Sequence, residues 1–118
     1  MSEIQAFVGN AHGDLDAVRT ALAAQPTLAN CAWDWGDGDW ESPIGAAAHM
    51  GRRDIAELLL AHGARADIFA AAMLDDVDAV RALLPLFKDE PVGPHGIPLR
   101  AHATAGDARR VLEFLGSG

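Results

Sequence analysis

The sequence predicts an all-α protein, built as a short solenoid of about four helix-turn-helix units within a single domain spanning residues 1–118. Three observations lead to this prediction. A turn followed by apolar residues at helical spacing recurs four times, short alanine-rich stretches precede the later turns, and the length fits one domain. The predicted repeats span about residues 2–30, 41–64, 67–87 and 97–116.

The four turns begin at Gly13, Gly51, Asp75 and Gly106, and a short polar step separates each turn from its apolar residues. The first and third units nearly repeat each other, since Asp-Leu-Asp-Ala-Val-Arg in one matches Asp-Val-Asp-Ala-Val-Arg in the other. Small residues upstream of the turns allow two helices to approach closely. Each unit is therefore predicted to be a helix, a tight turn and a second helix.

The second unit reads Ser-Pro-Ile-Gly-Ala-Ala-Ala-His-Met-Gly from Ser42, then Ile-Ala-Glu-Leu-Leu-Leu-Ala-His-Gly-Ala to Ala64. This resembles the ankyrin repeat family, whose pattern is Thr-Pro-Leu-His-x-Ala-Ala-x-x-Gly followed by Leu-Leu-Leu-x-x-Gly-Ala. Segments 38–41 and 93–97 also look like those of a group of small bacterial ankyrin proteins. The resemblance implies helix pairs with hairpin fingers between them, and recognition of a protein or peptide in a concave groove. Ser42 is predicted to cap the helix that Pro43 begins.

The turn spacing departs from the family period of about 33 residues. Gly13 and Gly51 are 38 residues apart, whereas the next two spacings are 24 and 31 residues. We therefore expect an enlarged first finger (residues 31–41), a nearly deleted second finger (residues 64–67) and an ordinary third finger (residues 88–96). No polar cap is recognisable after Leu115, which predicts a frayed last helix, a shortened chain or a homodimer formed through the terminal repeat.

Composition and charge narrow the classes of partner and compartment. The net charge of −8 repels phosphate backbones, so nucleic acid is not expected as a partner. No apolar run approaches the roughly 18 residues of a membrane span, and no secretory signal is visible. Cys31 is the only cysteine and is interpreted as a small buried hydrophobe rather than a thiol nucleophile. The expected compartment is the cytoplasm.

The first finger is the most unusual segment of the sequence. It holds all three tryptophans and four carboxylates, and no Lys or Arg lies between Thr20 and Gly51. Two interpretations stay open. Indole faces and carboxylates together favour a cationic guest such as an amine, Arg or Lys. Alternatively, the rings pack over the helix tops and the acids are solvated. The acids lack the spacing of a calcium loop.

The five histidines receive separate interpretations. His12 and His49 occupy related positions before turn glycines, where the family pattern faces the groove. His62 stands at a helix C-terminus, His95 lies in the third finger, and His102 replaces an alanine that the family has in its core. Because neither HExxH nor CxxC spacing occurs, no metal and no cofactor are expected.

Two functional hypotheses follow. The first is a non-enzymatic binding scaffold that recognises a protein or peptide, with a cationic or apolar group, through its groove and acidic finger. Its predicted surface comprises His12, Trp33, Asp34, Trp35, Asp37, Asp39, Trp40, Glu41, His49, Met50, Met73 and Leu74.

The second hypothesis is a small-molecule-binding protein or a small acid/base enzyme of isomerase, cyclase or hydrolase type. The first finger would close a tryptophan-lined cavity in which a carboxylate faces an imidazole. Burial is expected to raise the pKa of that carboxylate and suit it to proton transfer near neutrality. The candidate catalytic residues are Asp34, Asp39, Glu41, His49, His95 and His102.

Overall fold

A computed structural model describes residues 2–116. Eight α-helices account for most of this part of the chain, which confirms the all-α prediction. The remaining three residues of the predicted domain lie outside it. The helices form four successive pairs: α1 (Glu3–Asn10) with α2 (Leu15–Ala24), α3 (Pro43–His49) with α4 (Arg53–Ala61), α5 (Ile68–Met73) with α6 (Val77–Leu83), and α7 (Leu99–Ala105) with α8 (Arg109–Leu115).

Side-chain caps set the beginning of most of these helices. In five helices a serine or aspartate side chain accepts the backbone N–H three residues further on, which satisfies a donor that the helix itself leaves unpaired. These caps are Ser2, Asp14, Ser42, Asp67 and Asp76. Ser42 is followed by Pro43 at the first helical position, as the sequence predicts.

The first finger forms a two-stranded antiparallel hairpin of β1 (Trp33–Asp34) and β2 (Trp40–Glu41). The Asp34 carboxylate closes its turn, because it accepts backbone N–H groups from Gly36 at 2.9 Å and Gly38 at 3.1 Å. A short 3-10 turn, Pro94–Gly96, ends the third finger.

Glycine in two of the turns lets helix pairs pack closely, the second pair against the fourth and the fourth against the third. Gly51 has a φ of +66°, and a Cβ placed there would lie 2.2 Å from the carbonyl oxygen of Ala105. A Cβ on Gly106 would lie 2.1 Å from the carbonyl oxygen of Met73. Neighbouring backbones therefore approach to a distance that only glycine permits.

The connection between α4 and α5, residues 62–67, contains no helix or strand. The first helices of the pairs lie close together here, since α5 packs against both α3 and α7, and α3 also contacts α7 directly. This curvature brings the third finger onto the first finger. The backbone N–H of His95 donates to Oδ1 of Asp39 at 2.7 Å, across 56 residues of sequence.

Apolar side chains fill the space between the helix pairs in two clusters. One extends from Phe7 through Leu22 and Ile44, and the other contains Leu99 and Val111. Alanines at positions 46–48 are fully buried and let α3 lie close to its neighbours. Within residues 2–116, no helix has the length and apolar character needed to cross a membrane.

Candidate functional site

A buried carboxylate, that of Glu41 at the end of β2, lies at the centre of the site with 1% of its surface exposed. Its Oε1 accepts the indole N–H of Trp35 at 2.9 Å. Three imidazoles surround it. Nε2 of His12 lies 3.2 Å and Nε2 of His95 3.3 Å from Oε1, and Nε2 of His49 lies 3.0 Å from Oε2.

Four separate segments supply these side chains. His12 follows the end of α1 and His49 ends α3, so they occupy equivalent places in adjacent helix pairs. Their ring centroids are 5.0 Å apart. His95 comes from the third finger, where its φ of +60° lies in the left-handed region that non-glycine residues rarely adopt. Contacts with Asp39 hold this backbone in place.

The hydrogen bonds of the ring Nδ1 atoms fix the tautomers of two of these histidines. Nδ1 of His12 lies 3.0 Å from the carbonyl oxygens of both Val8 and Gly9, which can only accept. Nδ1 of His95 lies 2.7 Å from the Asp39 carboxylate. Both Nδ1 atoms therefore carry hydrogen. In the neutral rings the Nε2 atoms then present lone pairs toward Glu41.

The contact between His49 and Glu41 is close, but it is not a hydrogen bond. Nε2 of His49 and Oε2 of Glu41 are 3.0 Å apart, yet their directions do not meet hydrogen-bond geometry. Both atoms are buried and have no hydrogen-bond partner among the described residues. Buried polar atoms without partners are unusual in folded proteins and call for an explanation.

The charges at this site differ from the sequence-based expectation. Burial raises the pKa of Glu41, but the contacts with His12, His49 and Trp35 outweigh burial and hold that pKa well below its usual range. The expectation that burial would tune this carboxylate for proton transfer near neutrality was wrong, because the contacts with the surrounding side chains favour its ionised form. The contact with Glu41 raises the pKa of His12, against the opposing effect of burial.

Taken together, these side chains form a compact donor set. One ligand atom each from His12, Glu41, His49 and His95 lies within 4.8 Å of all the others. In a tetrahedral site with metal–donor bonds of about 2.0–2.1 Å, neighbouring donors are about 3.3 Å apart. The Nε2 atoms of His12 and His95 lie 3.2 and 3.3 Å from Oε1, and that of His49 lies 3.0 Å from Oε2, which is close to that spacing.

His102 lies apart from this donor set. It is fully buried, its Nδ1 donates to the Pro98 carbonyl oxygen at 2.9 Å, and its ring packs against Phe69 with centroids 4.7 Å apart. Burial lowers its pKa, so the ring is neutral near neutrality. Its ring centroid is 6.5 Å from that of His49. We assign His102 to the core.

The other acids of the first finger have different surroundings. Asp39 contacts both the backbone N–H and Nδ1 of His95, so it orients that ring. Asp34 closes the hairpin turn, and Asp37 is exposed at its tip with a φ of +55°. Neither Asp34 nor Asp37 joins the donor set. Of the six candidate catalytic residues, Asp34 and His102 therefore lie outside the site, and the other four lie in it or beside it.

The three tryptophans also take different positions. Trp33 packs against the core, Trp35 donates to Glu41, and Trp40 is 61% exposed. Trp40 borders an open cleft of about 440 Å³ between the two fingers, and Trp35 does not line this cleft. A single cavity closed by all three rings is therefore not formed.

The three apolar, non-aromatic residues of the predicted binding surface are only partly accessible. Met50 is half exposed, and Leu74 is partly buried. Met73 is 1% exposed because it lies between helix pairs, against the turn at Gly106. Met73 is thus a core residue rather than part of a binding surface.

Comparison of the chain with protein-family models, with curated proteins and with solved structures found no match. The interpretation of the site therefore depends on its geometry and chemistry.

Proposed function

We propose that this protein binds a divalent transition-metal ion through Nε2 of His12, His49 and His95 and the carboxylate of Glu41. One observation carries the proposal: three imidazole nitrogens from separate segments converge on one buried carboxylate, and the four ligand atoms all lie within 4.8 Å of one another. This departs from the sequence-based expectation of no metal, which considered only ligands spaced closely along the chain.

Hydrogen-bond chemistry favours a cation at this point. The Nε2 lone pairs of neutral His12 and His95 both lie near Oε1 of Glu41, which already accepts the indole N–H of Trp35. Lone pairs facing a carboxylate repel it unless positive charge lies between them. In the metal-free protein a proton on Nε2 of His12, whose pKa the contact with Glu41 raises, satisfies that one contact. Protonating His95 as well would place two imidazolium ions with centroids 6.3 Å apart in a partly buried site. A single metal ion satisfies all these donors at once.

The donor types indicate which metals fit. Imidazole nitrogen suits Zn²⁺, Ni²⁺, Cu²⁺ and iron, whereas Mg²⁺ and Ca²⁺ prefer sites made of oxygen alone. The contact between Asp39 and Nδ1 of His95 is the carboxylate–histidine arrangement that orients metal-bound imidazoles and raises their basicity. The two backbone carbonyls on Nδ1 of His12 do the same for that ring.

Isothermal titration calorimetry of the chelator-treated protein with Zn²⁺ tests the proposal. We expect one ion per chain. Glu41→Gln keeps the shape of the side chain and an acceptor for Trp35, but it removes the charge. Its affinity for zinc should fall by more than the roughly 10–100-fold that loss of a second-sphere partner costs.

Two histidines provide a matched pair of variants. His12 and His62 each follow a helix and each contact carbonyl oxygens through Nδ1, but only His12 belongs to the donor set. His12→Ala should weaken zinc binding strongly, and His62→Ala should leave it unchanged. Circular dichroism would confirm that both variants fold. Equal affinity in the two variants, or no saturable binding by the parent protein, would refute the proposal.

We also propose that the four helix pairs are ankyrin-type repeats. Support comes from their order, from the packing of each first helix on the next first helix, from the contacts of α2 with α4 and of α6 with α8, and from the hairpin in the first finger. Recognition of a protein or peptide through the groove, and a homodimer formed through the terminal repeat, stay predictions.

A further inference from the structure

The four proposed ligands are unevenly covered by the protein. The Glu41 side chain is 0% and that of His49 11% exposed, whereas His12 is 25% and His95 33% exposed. The site thus has a sealed floor and an accessible rim. Structural metal sites are closed by protein on all sides, while sites that bind external ligands keep an open position.

Trp35 borders the same rim. Its indole is 38% exposed, and its ring centroid lies 6.3 Å from that of His12 and 6.4 Å from that of His95. Its N–H occupies one acceptor position of Oε1 of Glu41 and so limits how that oxygen can bind a metal. The rim therefore combines two exposed imidazoles with one apolar aromatic wall.

The charges at the rim define what would bind there. A divalent ion with the Glu41 carboxylate leaves one net positive charge. The nearby Asp39 carboxylate, which accepts from the backbone and ring of His95, keeps its negative charge beside the metal and its ligands. Within residues 2–116, the contacts of the four donor side chains include no Lys or Arg that could attract a multiply charged anion. The inner-sphere charge of +1, with Asp39 nearby and no basic side chain, therefore accommodates a ligand with no more than one negative charge.

On the basis of the proposed metal site, we infer that the metal has an open face between His12, His95 and Trp35, where it binds a small monoanionic oxygen donor such as a carboxylate. Three nitrogens and one carboxylate leave one or two positions free on metals that take five or six ligands, which include Co²⁺ and Ni²⁺. Such an open position is the feature that separates exchangeable, catalytic-type centres from closed structural ones.

The test uses the Co²⁺-loaded full chain, titrated with acetohydroxamate, a monoanionic chelating oxygen donor. We expect a saturable change in the visible d–d spectrum at one acetohydroxamate per cobalt. Equilibrium dialysis must show that cobalt stays with the protein, since removal of the metal also changes the spectrum. Spectral change through cobalt loss alone would overturn the inference.

The outcomes separate the two proposals. If Co²⁺ binds at one per chain but acetohydroxamate leaves the spectrum unchanged up to the solubility limit, the open face is refuted and the metal site stands. If the chain binds neither Zn²⁺ nor Co²⁺, both proposals fail. Trp40→Phe is the control, because this exposed indole belongs to the same hairpin but lines the cleft between the fingers, whereas Trp35 is the indole beside His12 and His95. It should leave the acetohydroxamate titration unchanged.

Discussion

At the residue scale, two carboxylates of the first finger differ in position and in the groups they contact. Glu41 lies among the imidazoles as a buried anion, whereas Asp39 lies outside them and holds the ring and backbone of His95. The first provides charge at the centre. The second sets the tautomer and direction of one ligand. Their effects on metal binding should therefore differ in size and be measurable separately.

Asp39→Asn tests the orienting role. The substitution keeps the shape of the side chain but removes the negative charge from Nδ1 of His95. Loss of such a second-sphere carboxylate typically costs about 10–100-fold in metal affinity. Calorimetric titration with Zn²⁺ measures the change. Asp37→Asn, an exposed acid in the same finger, is the control and should bind zinc as the parent does. If both substitutions weakened zinc binding equally, loss of one negative charge from the finger, rather than loss of the contact with His95, would account for the effect.

The pH dependence of stability tests the charge assignment in the metal-free protein. The pKa of Glu41 is lowered by folding, so its stabilising contribution is complete above its ordinary value of 4.5 and is lost as pH falls. The pKa of His12 is raised, so its contribution is complete below 6.5 and is lost as pH rises through the folded value. The Glu41–His12 pair should therefore contribute most to the free energy of unfolding between about pH 4.5 and 6.5.

Thermal melts in chelator, compared between the parent and Glu41→Gln, measure this contribution. The difference in Tm should be largest inside that window and should shrink on both sides, because the substitution removes the partner responsible for both shifts. A Tm difference that does not vary between pH 3 and pH 9 would contradict the assignment.

Turns and fingers, rather than helices, decide the geometry at the element scale. The helix caps and the pairing of helices follow from local signals such as Ser42-Pro43, which the sequence displays. The approach of the second and fourth helix pairs depends on Gly51, whose missing side chain leaves room for the Ala105 carbonyl. This contact joins the turn after α3, which carries His49, to α7, which follows the third finger.

Gly51→Ala tests this contact, with Gly63→Ala as control. Both glycines have positive φ, so each substitution incurs the left-handed penalty of about 1–2 kcal/mol. Only at Gly51 would the new Cβ also meet backbone, 2.2 Å from the Ala105 oxygen, whereas no atom lies within 4 Å at Gly63. Urea unfolding should show a larger loss of stability for Gly51→Ala. Equal losses would mean that backbone strain alone accounts for the effect.

The curvature of the whole molecule assembles the site. His12 and His49 share a repeat position, so stacking of adjacent units places them side by side, and this proximity could be predicted from the sequence. His95 could not be placed in this way, because its arrival depends on α7 contacting α3 past the short connection at residues 62–67. The lowered pKa of Glu41 could not be predicted from the sequence either. It depends on contacts with three side chains that come together only in the folded protein.

The central claim is that the four donor side chains hold one metal ion. Anomalous diffraction at the zinc edge from crystals of the zinc-loaded protein tests it most directly. We predict one strong anomalous peak, about 2.0–2.2 Å from Nε2 of His12, His49 and His95 and from a carboxylate oxygen of Glu41. A peak only at exposed acids such as Asp37, or no peak in a fully folded protein, would contradict the claim.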